Sequence, residues 1–197
     1  MITATRDRRG IVLHLLAIAV LALAGCGAAP DDADEGAPGG LLAAHGLAGL
    51  DAREVIERLD TMAVEGRPKD LMASVRPDEL VLSDPAGREE RLPMPRDEIY
   101  VAVAPYVEQT HECHFHSLTT CLGELRGAAV TVRLTGADGS VLLDETRRTY
   151  DNGFVGLWVP RGTRATLTIG HEDRQSTAAI STSSPDDATC VTTMKLT

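Results

Sequence analysis

An apolar run from Ile11 to Ala24 decides how much of this chain is left to fold. Only His14 interrupts it, and Arg6, Arg8 and Arg9 precede it. The run is shorter than the roughly 20 residues a bilayer-spanning helix needs, and it suits the apolar centre of an export leader. It ends in Leu23-Ala24-Gly25-Cys26, where small residues offer a cleavage site and cysteine becomes the first residue of the mature chain. Arg8-Arg9 lacks the surroundings of a twin-arginine signal, so general secretion is expected.

The placing of Cys26 directly after such a leader resembles the lipobox of bacterial lipoproteins. That resemblance implies lipid on Cys26 and attachment to the outer face of the cytoplasmic membrane, or to a periplasmic membrane face. The residues after it, from Gly27 to Gly40, are Gly, Ala, Pro, Asp and Glu with no large apolar side chain. They cannot bury enough surface to offset the entropy of ordering and read as a tether. The expected organisation is a leader over 1–25, the lipidated cysteine and linker over 26–40, a helix and β-hairpin region over 41–95, and a β-rich metal-binding domain over 96–197.

The fold class expected is α+β: a small N-terminal helical and hairpin region, then an antiparallel β-sandwich-like domain. Asp51 with Glu54 three residues on makes a capping box, and Val55, Ile56, Leu59 and Met62 recur at helical spacing until Gly66-Arg67-Pro68. Strands are predicted over Glu79 to Ser83 and Arg88 to Leu92, joined by Asp84-Pro85-Ala86-Gly87. Further strands are predicted at Glu98 to Ala104, Ala128 to Leu134, Ser140 to Tyr150, Phe154 to Val159, Arg164 to Ile169, Ser176 to Thr182 and Cys190 to Leu196. Asn152-Gly153 has the composition of a hairpin turn, and Trp158, the one tryptophan, is expected in the core.

Net charge bounds the partners. The formal charge is −10, and the leader takes away three arginines and one aspartate, which makes the remainder more acidic still. No Lys/Arg block offsets this, so nucleic-acid binding is excluded and contact with the membrane is expected through the lipid alone.

Chemistry concentrates between positions 111 and 121. Three of the six histidines and two of the four cysteines lie there: His111, Cys113, His114, His116 and Cys121. With Cys26 in lipid, Cys113, Cys121 and Cys190 are an odd trio. Either two pair and one thiol stays free, or all three are thiolate ligands. Soft sulfur with imidazole suits Cu(I) and also Zn(II). The spacing is not that of a zinc finger. A regular strand would put His111 and Cys113 on one face and His114 and His116 on the other, so convergence needs a loop or a split of roles. The alternative is a Cys121–Cys190 staple without metal, where closing that loop adds roughly 4 kcal/mol in the chain-entropy model. No zincin, nucleophile-elbow or P-loop motif is present, so an enzyme has little to stand on. A cysteine nucleophile at Cys113 lacks recognisable supporting groups.

Several segments resemble one known family. They are Ser74-Val75-Arg76-Pro77-Asp78-Glu79-Leu80, Ala104-Pro105-Tyr106-Val107, Gln109-Thr110-His111, His116-Ser117-Leu118-Thr119-Thr120-Cys121, Asn152-Gly153-Phe154-Val155-Gly156 and Thr189-Cys190-Val191-Thr192-Thr193. Together they resemble the CueP family of exported copper-binding proteins linked to copper resistance. The resemblance implies that Cys113, Cys121 and Cys190 carry copper, as Cu(I) foremost with Cu(II) or Zn(II) as alternatives. It also implies that two of these cysteines can exist as a disulfide, and that His111 and His116 stand close by. His114 departs from the family, where an aromatic residue is expected. The partners it implies are copper ions and a second copy of the chain, and an exported protein that accepts copper and a thiol–disulfide oxidoreductase are expected beside them. The expected function is to buffer, sequester or deliver copper outside the cytoplasm. The alternatives are a thiol-based oxidoreductase or cupric reductase, and a disulfide-stapled binding module.

Overall fold

The computed structural model describes residues 40–197, all within one compact unit. Cys26, the leader and the tether up to residue 39 lie outside the described residues. The first elements are α1 (Leu41–Ala44) and α2 (Ala52–Asp60), followed by a 3-10 turn at Val64–Gly66. The predicted capping box forms: the Asp51 carboxylate accepts the Glu54 N–H at 2.9 Å, and the Glu54 carboxylate accepts the Asp51 N–H at 2.9 Å. Helix α2 buries Ala52, Val55, Ile56, Leu59 and Asp60. It ends before Met62, with Thr61 as its C-cap and the Thr61 hydroxyl on the Glu57 carbonyl at 2.6 Å. Among the described residues no helix is long and apolar enough to cross a membrane.

Ten strands follow: β1 (Met72–Val75), β2 (Glu79–Ser83), β3 (Glu89–Pro93), β4 (Glu98–Val103), β5 (Ala129–Gly136), β6 (Val141–Arg148), β7 (Val155–Pro160), β8 (Arg164–His171), β9 (Arg174–Ser181) and β10 (Cys190–Val191). They make three sheets, ordered β1-β2-β3, β10-β4-β7 and β6-β5-β8-β9. Among the described strands the β10–β4 pairing is parallel and the others are antiparallel.

Strand β4 is the organiser. Successive side chains on a strand point to opposite faces, and both faces of β4 are buried. Tyr100 and Ala102 enter a first core with α2, β1 and β2. Ile99, Val101 and Val103 enter a second core with Val130, Val132 and Leu134 of β5 and Leu167 and Ile169 of β8. The second core is the β-sandwich read from the sequence. The first stacks the helix and the small sheet on the other side of β4, which gives an α+β architecture.

Three expectations change in detail. The Asn152-Gly153 turn forms, with Gly153 at φ +80°, but it joins β6 to β7, which pair in different sheets. It therefore hands the chain from the four-stranded sheet to the central one and closes no hairpin. The last predicted strand shortens to Cys190–Val191, after which Lys195 bridges to Tyr106 and Thr197 exchanges backbone hydrogen bonds with Gln175. Trp158 is half-buried at the rim of the first core, its ring covered by the Arg53 guanidinium at 3.9 Å. Phe154 is the fully buried aromatic of that first core, and the sandwich core contains aliphatic residues and, among the described residues, no tryptophan.

Candidate metal centre

Residues 104–128 link β4 to β5 without a regular strand, and this irregularity lets the cluster converge. The loop is pinned at several points. Ser117 bridges to Ser74 of β1, with the Val75 N–H on the His116 carbonyl and the Leu118 N–H on the Ala73 carbonyl, at 2.8 and 2.9 Å. The Glu124 carboxylate accepts the N–H groups of Val107, Glu108 and Gln109 at 3.1, 2.9 and 2.8 Å. At the far end, the N–H groups of Thr189 and Cys190 share the His114 carbonyl, and the Thr189 hydroxyl joins the His116 N–H to the Val75 carbonyl. Since β10 lies parallel to β4, these bonds bring Cys190 into the loop despite its distance along the chain.

The side chains fall into two overlapping groups. His111, Cys113 and Cys121 form one; His116, Cys121 and Cys190 form the other. Within each group the donor atoms lie within 4.8 Å of one another, and Cys121 belongs to both. The Cys113 and Cys121 sulfurs are 3.5 Å apart, and Cys190 Sγ is 3.8 Å from His116 Nδ1. All three cysteines are free thiols in this structure. The second group is deeply enclosed, with His116 at 0%, Cys190 at 3% and Cys121 at 8% exposure. The first group faces outward: His111 and Cys113 line a surface recess walled by Tyr106, Thr110 and Thr192. His111 Nε2 is nonetheless buried and without a hydrogen-bond partner among the described residues. His114 is in neither group. It points to the surface, with Nε2 3.0 Å from the Asp186 carbonyl.

Behind His116 stands a group that the sequence reading passed over. Asp60, at the end of α2, is fully buried and accepts His116 Nε2–H at 2.9 Å. The same carboxylate accepts the Tyr100 hydroxyl at 2.6 Å and the Asn152 side-chain amide at 2.6 Å. Arg67 lies 3.7 Å from it and donates its other arm to the Cys121 carbonyl at 2.9 Å. Asn152 in turn accepts the Phe154 N–H, and the Phe154 ring packs on His116 at 4.5 Å. With Nε2 committed to a carboxylate, His116 presents Nδ1 to the sulfurs, the arrangement that orients imidazole ligands in metal proteins. One signal for Asp60 was present: it falls on the buried stripe of α2, four residues after Ile56.

Electrostatics follow from this geometry. Burial alone would lower the His116 pKa, but the Asp60 charge and hydrogen bond, with Cys121 beyond, lift it to about 9. Burial would raise that of Asp60, but charged His116 and the bonds from His116, Tyr100 and Asn152 hold it below the ordinary carboxylate value. Hydrogen bonds from Cys113 and Cys190, then His116, drive the Cys121 thiol far below its ordinary value against burial. The bond to Cys121 raises Cys113 to about 11, and bonds to both other thiols push Cys190 well above its ordinary value. The thiol held lowest is Cys121, the residue common to both groups. Thiolate is the form that binds metal.

Residues 54–195 match the family model described as "Periplasmic copper-binding protein CueP". The solved structure titled "Crystal Structure of S.CueP" is 36% identical, with a TM-score of 0.73 over 79% of this chain and 94% of that one. No curated protein matches the chain. A family match across the whole of the three-cysteine cluster, joined to a similar solved fold, places the chain in the CueP family of periplasmic copper-binding proteins.

Proposed function

We propose that this protein is an extracytoplasmic copper-binding lipoprotein that buffers, sequesters or delivers copper through Cys113, Cys121 and Cys190 with His111 and His116. Convergence of three thiols and two imidazoles on one shared sulfur, Cys121, carries this reading. Two sulfurs and a nitrogen favour Cu(I), which soft ligands select. The buried His111 Nε2 without a partner and the His116 ring held by Asp60 are both arranged as metal donors are. Titration of the reduced protein with Cu(I) against a chromogenic Cu(I) chelator tests it. Tight binding lost when all three cysteines become serine is the expected result. Retained affinity in that variant would remove the site. Lipid on Cys26 would hold the domain at the membrane, and a Cys26→Ser protein recovered free of membranes is the expected outcome.

The 3.5 Å approach of the Cys113 and Cys121 sulfurs favours a second reading, as a thiol-based cupric reductase. Two Cu(II) ions would each take one electron, the two thiols would become a disulfide, and two protons would be released. Reaction beyond one disulfide per protein, sustained by an external thiol or a thiol–disulfide oxidoreductase, would establish turnover. Reaction that stops at one disulfide would leave binding as the function.

A further inference from the structure

The cluster has more donors than one Cu(I) ion takes, and they are not equivalent. His111, Cys113 and Cys121 supply two sulfurs and one imidazole nitrogen, and so do His116, Cys121 and Cys190. The two sets match in donor chemistry and differ in depth. His111 and Cys113 line the recess that opens to solvent, whereas His116 and Cys190 lie beneath it, essentially without exposure. The recess brings an ion to the outer set first. An ion moving inward must exchange water for protein ligands, and losing that water without replacement is costly.

The two imidazoles also differ in how they are held. Asp60 orients His116, so Nδ1 faces Cys190. No hydrogen bond among the described residues orients the His111 ring, and its buried Nε2 is unpartnered. One ring is a fixed terminus and the other is free to engage and release. Cys121 joins the sets, since its sulfur lies within reach of the donors of both.

Resting on the copper reading above, we propose that copper occupies two successive positions: an entry position made by His111, Cys113 and Cys121, and a retention position made by His116, Cys121 and Cys190. Cu(I) keeps its bond to Cys121 throughout. Bonds to Cys113 Sγ and His111 Nε2 break as bonds to Cys190 Sγ and His116 Nδ1 form. The Cys190 proton passes to the released Cys113 thiolate, and a proton carried on His116 Nδ1 leaves to solvent. The metal stays Cu(I), and no electron moves. Release to an acceptor runs the same path backwards, so the outer residues set the rate of exchange and the inner ones set its equilibrium.

Stopped-flow exchange of Cu(I) with a chromogenic chelator, on the reduced full chain, tests this. His111→Ala is expected to slow loading and release in parallel, by about tenfold each, which is about 1.4 kcal/mol of barrier. Cys190→Ser is expected to speed release about tenfold while slowing loading far less. A wild-type measurement keeps the test independent of how the variants fold. With less than one equivalent of Cu(I), the 15N resonance of His116 Nδ1 should shift, and that of His111 Nε2 should not. Equal shifts at both histidines would mean one shared centre and overturn the two positions, as would His111→Ala weakening equilibrium binding as much as Cys190→Ser without slowing exchange. In both of those outcomes the three-cysteine copper reading stands. Absence of any shift, with no competition against the chelator, would overturn that reading as well.

Discussion

Asp60 is the residue on which the centre turns. It is fully buried and joins His116, Tyr100, Asn152 and Arg67, which come from four separate parts of the chain. Removing one partner of a buried charged pair leaves the other uncompensated, so Asp60→Ala should cost about 3–5 kcal/mol in chemical denaturation. Asp60→Asn keeps the shape and loses the charge, and Cu(I) affinity should fall about 10–100-fold by chelator competition while the fold persists. The pair also gives stability a pH dependence. The His116 pKa is raised from 6.5 to about 9, so its contribution is complete below 6.5 and is lost as pH rises through 9. The Asp60 pKa is lowered from 3.8, so its contribution is present above 3.8 and is lost as pH falls through the folded value. The metal-free, reduced protein should therefore be more stable at pH 6 than at pH 10. In denaturation across that range, His116→Gln should flatten the alkaline limb.

At the scale of elements, two features that frame the site answer to different physics. Helix α2 is started by the Asp51–Glu54 box, which is exposed and remote from the sulfurs. Asp51→Ala should lower stability by about 1 kcal/mol in denaturant and leave copper affinity as it was. The turn before β7 is another matter. Gly153 sits at φ +80°, and a Cβ there would lie 2.4 Å from the Gly123 carbonyl oxygen. The Gly123 N–H donates to the Asn152 carbonyl at 2.6 Å, so this contact fastens the site loop to the turn carrying Asn152. Gly153→Ala should cost about 1–3 kcal/mol from backbone strain alone. It should also weaken copper binding, because Asn152 is a partner of Asp60.

Across the whole molecule, the cluster ties together segments far apart in sequence. Cys113 and Cys121 come from the β4–β5 loop, Cys190 from β10, and Asp60 from the helix behind them. The unfolded chain has no such convergence, so copper binds the folded state preferentially. Free Cu(I) at a thousand times its dissociation constant should raise the unfolding free energy by about 4 kcal/mol, read as a shift in the denaturation midpoint. The gain should vanish when all three cysteines are serine.

The sequence by itself determined which donor-bearing residues the chain carries and most of the elements. The concentration of His111, Cys113, His116 and Cys121 was legible as a run of donor side chains, and it was the resemblance to the CueP family that added Cys190 to them. Helix α2 and strands such as β2 were legible because capping and alternation are local. The tertiary structure alone decided how these parts meet. That β6 and β7 part company after Asn152-Gly153, that β10 runs parallel to β4, and that Trp158 stands at the rim of the first core and not within the sandwich are all settled by packing between distant segments. Asp60 belongs with these. As a letter it is a helix-end acid, and it becomes the anchor of His116 only when α2 is laid against β4 and the loop closes over it.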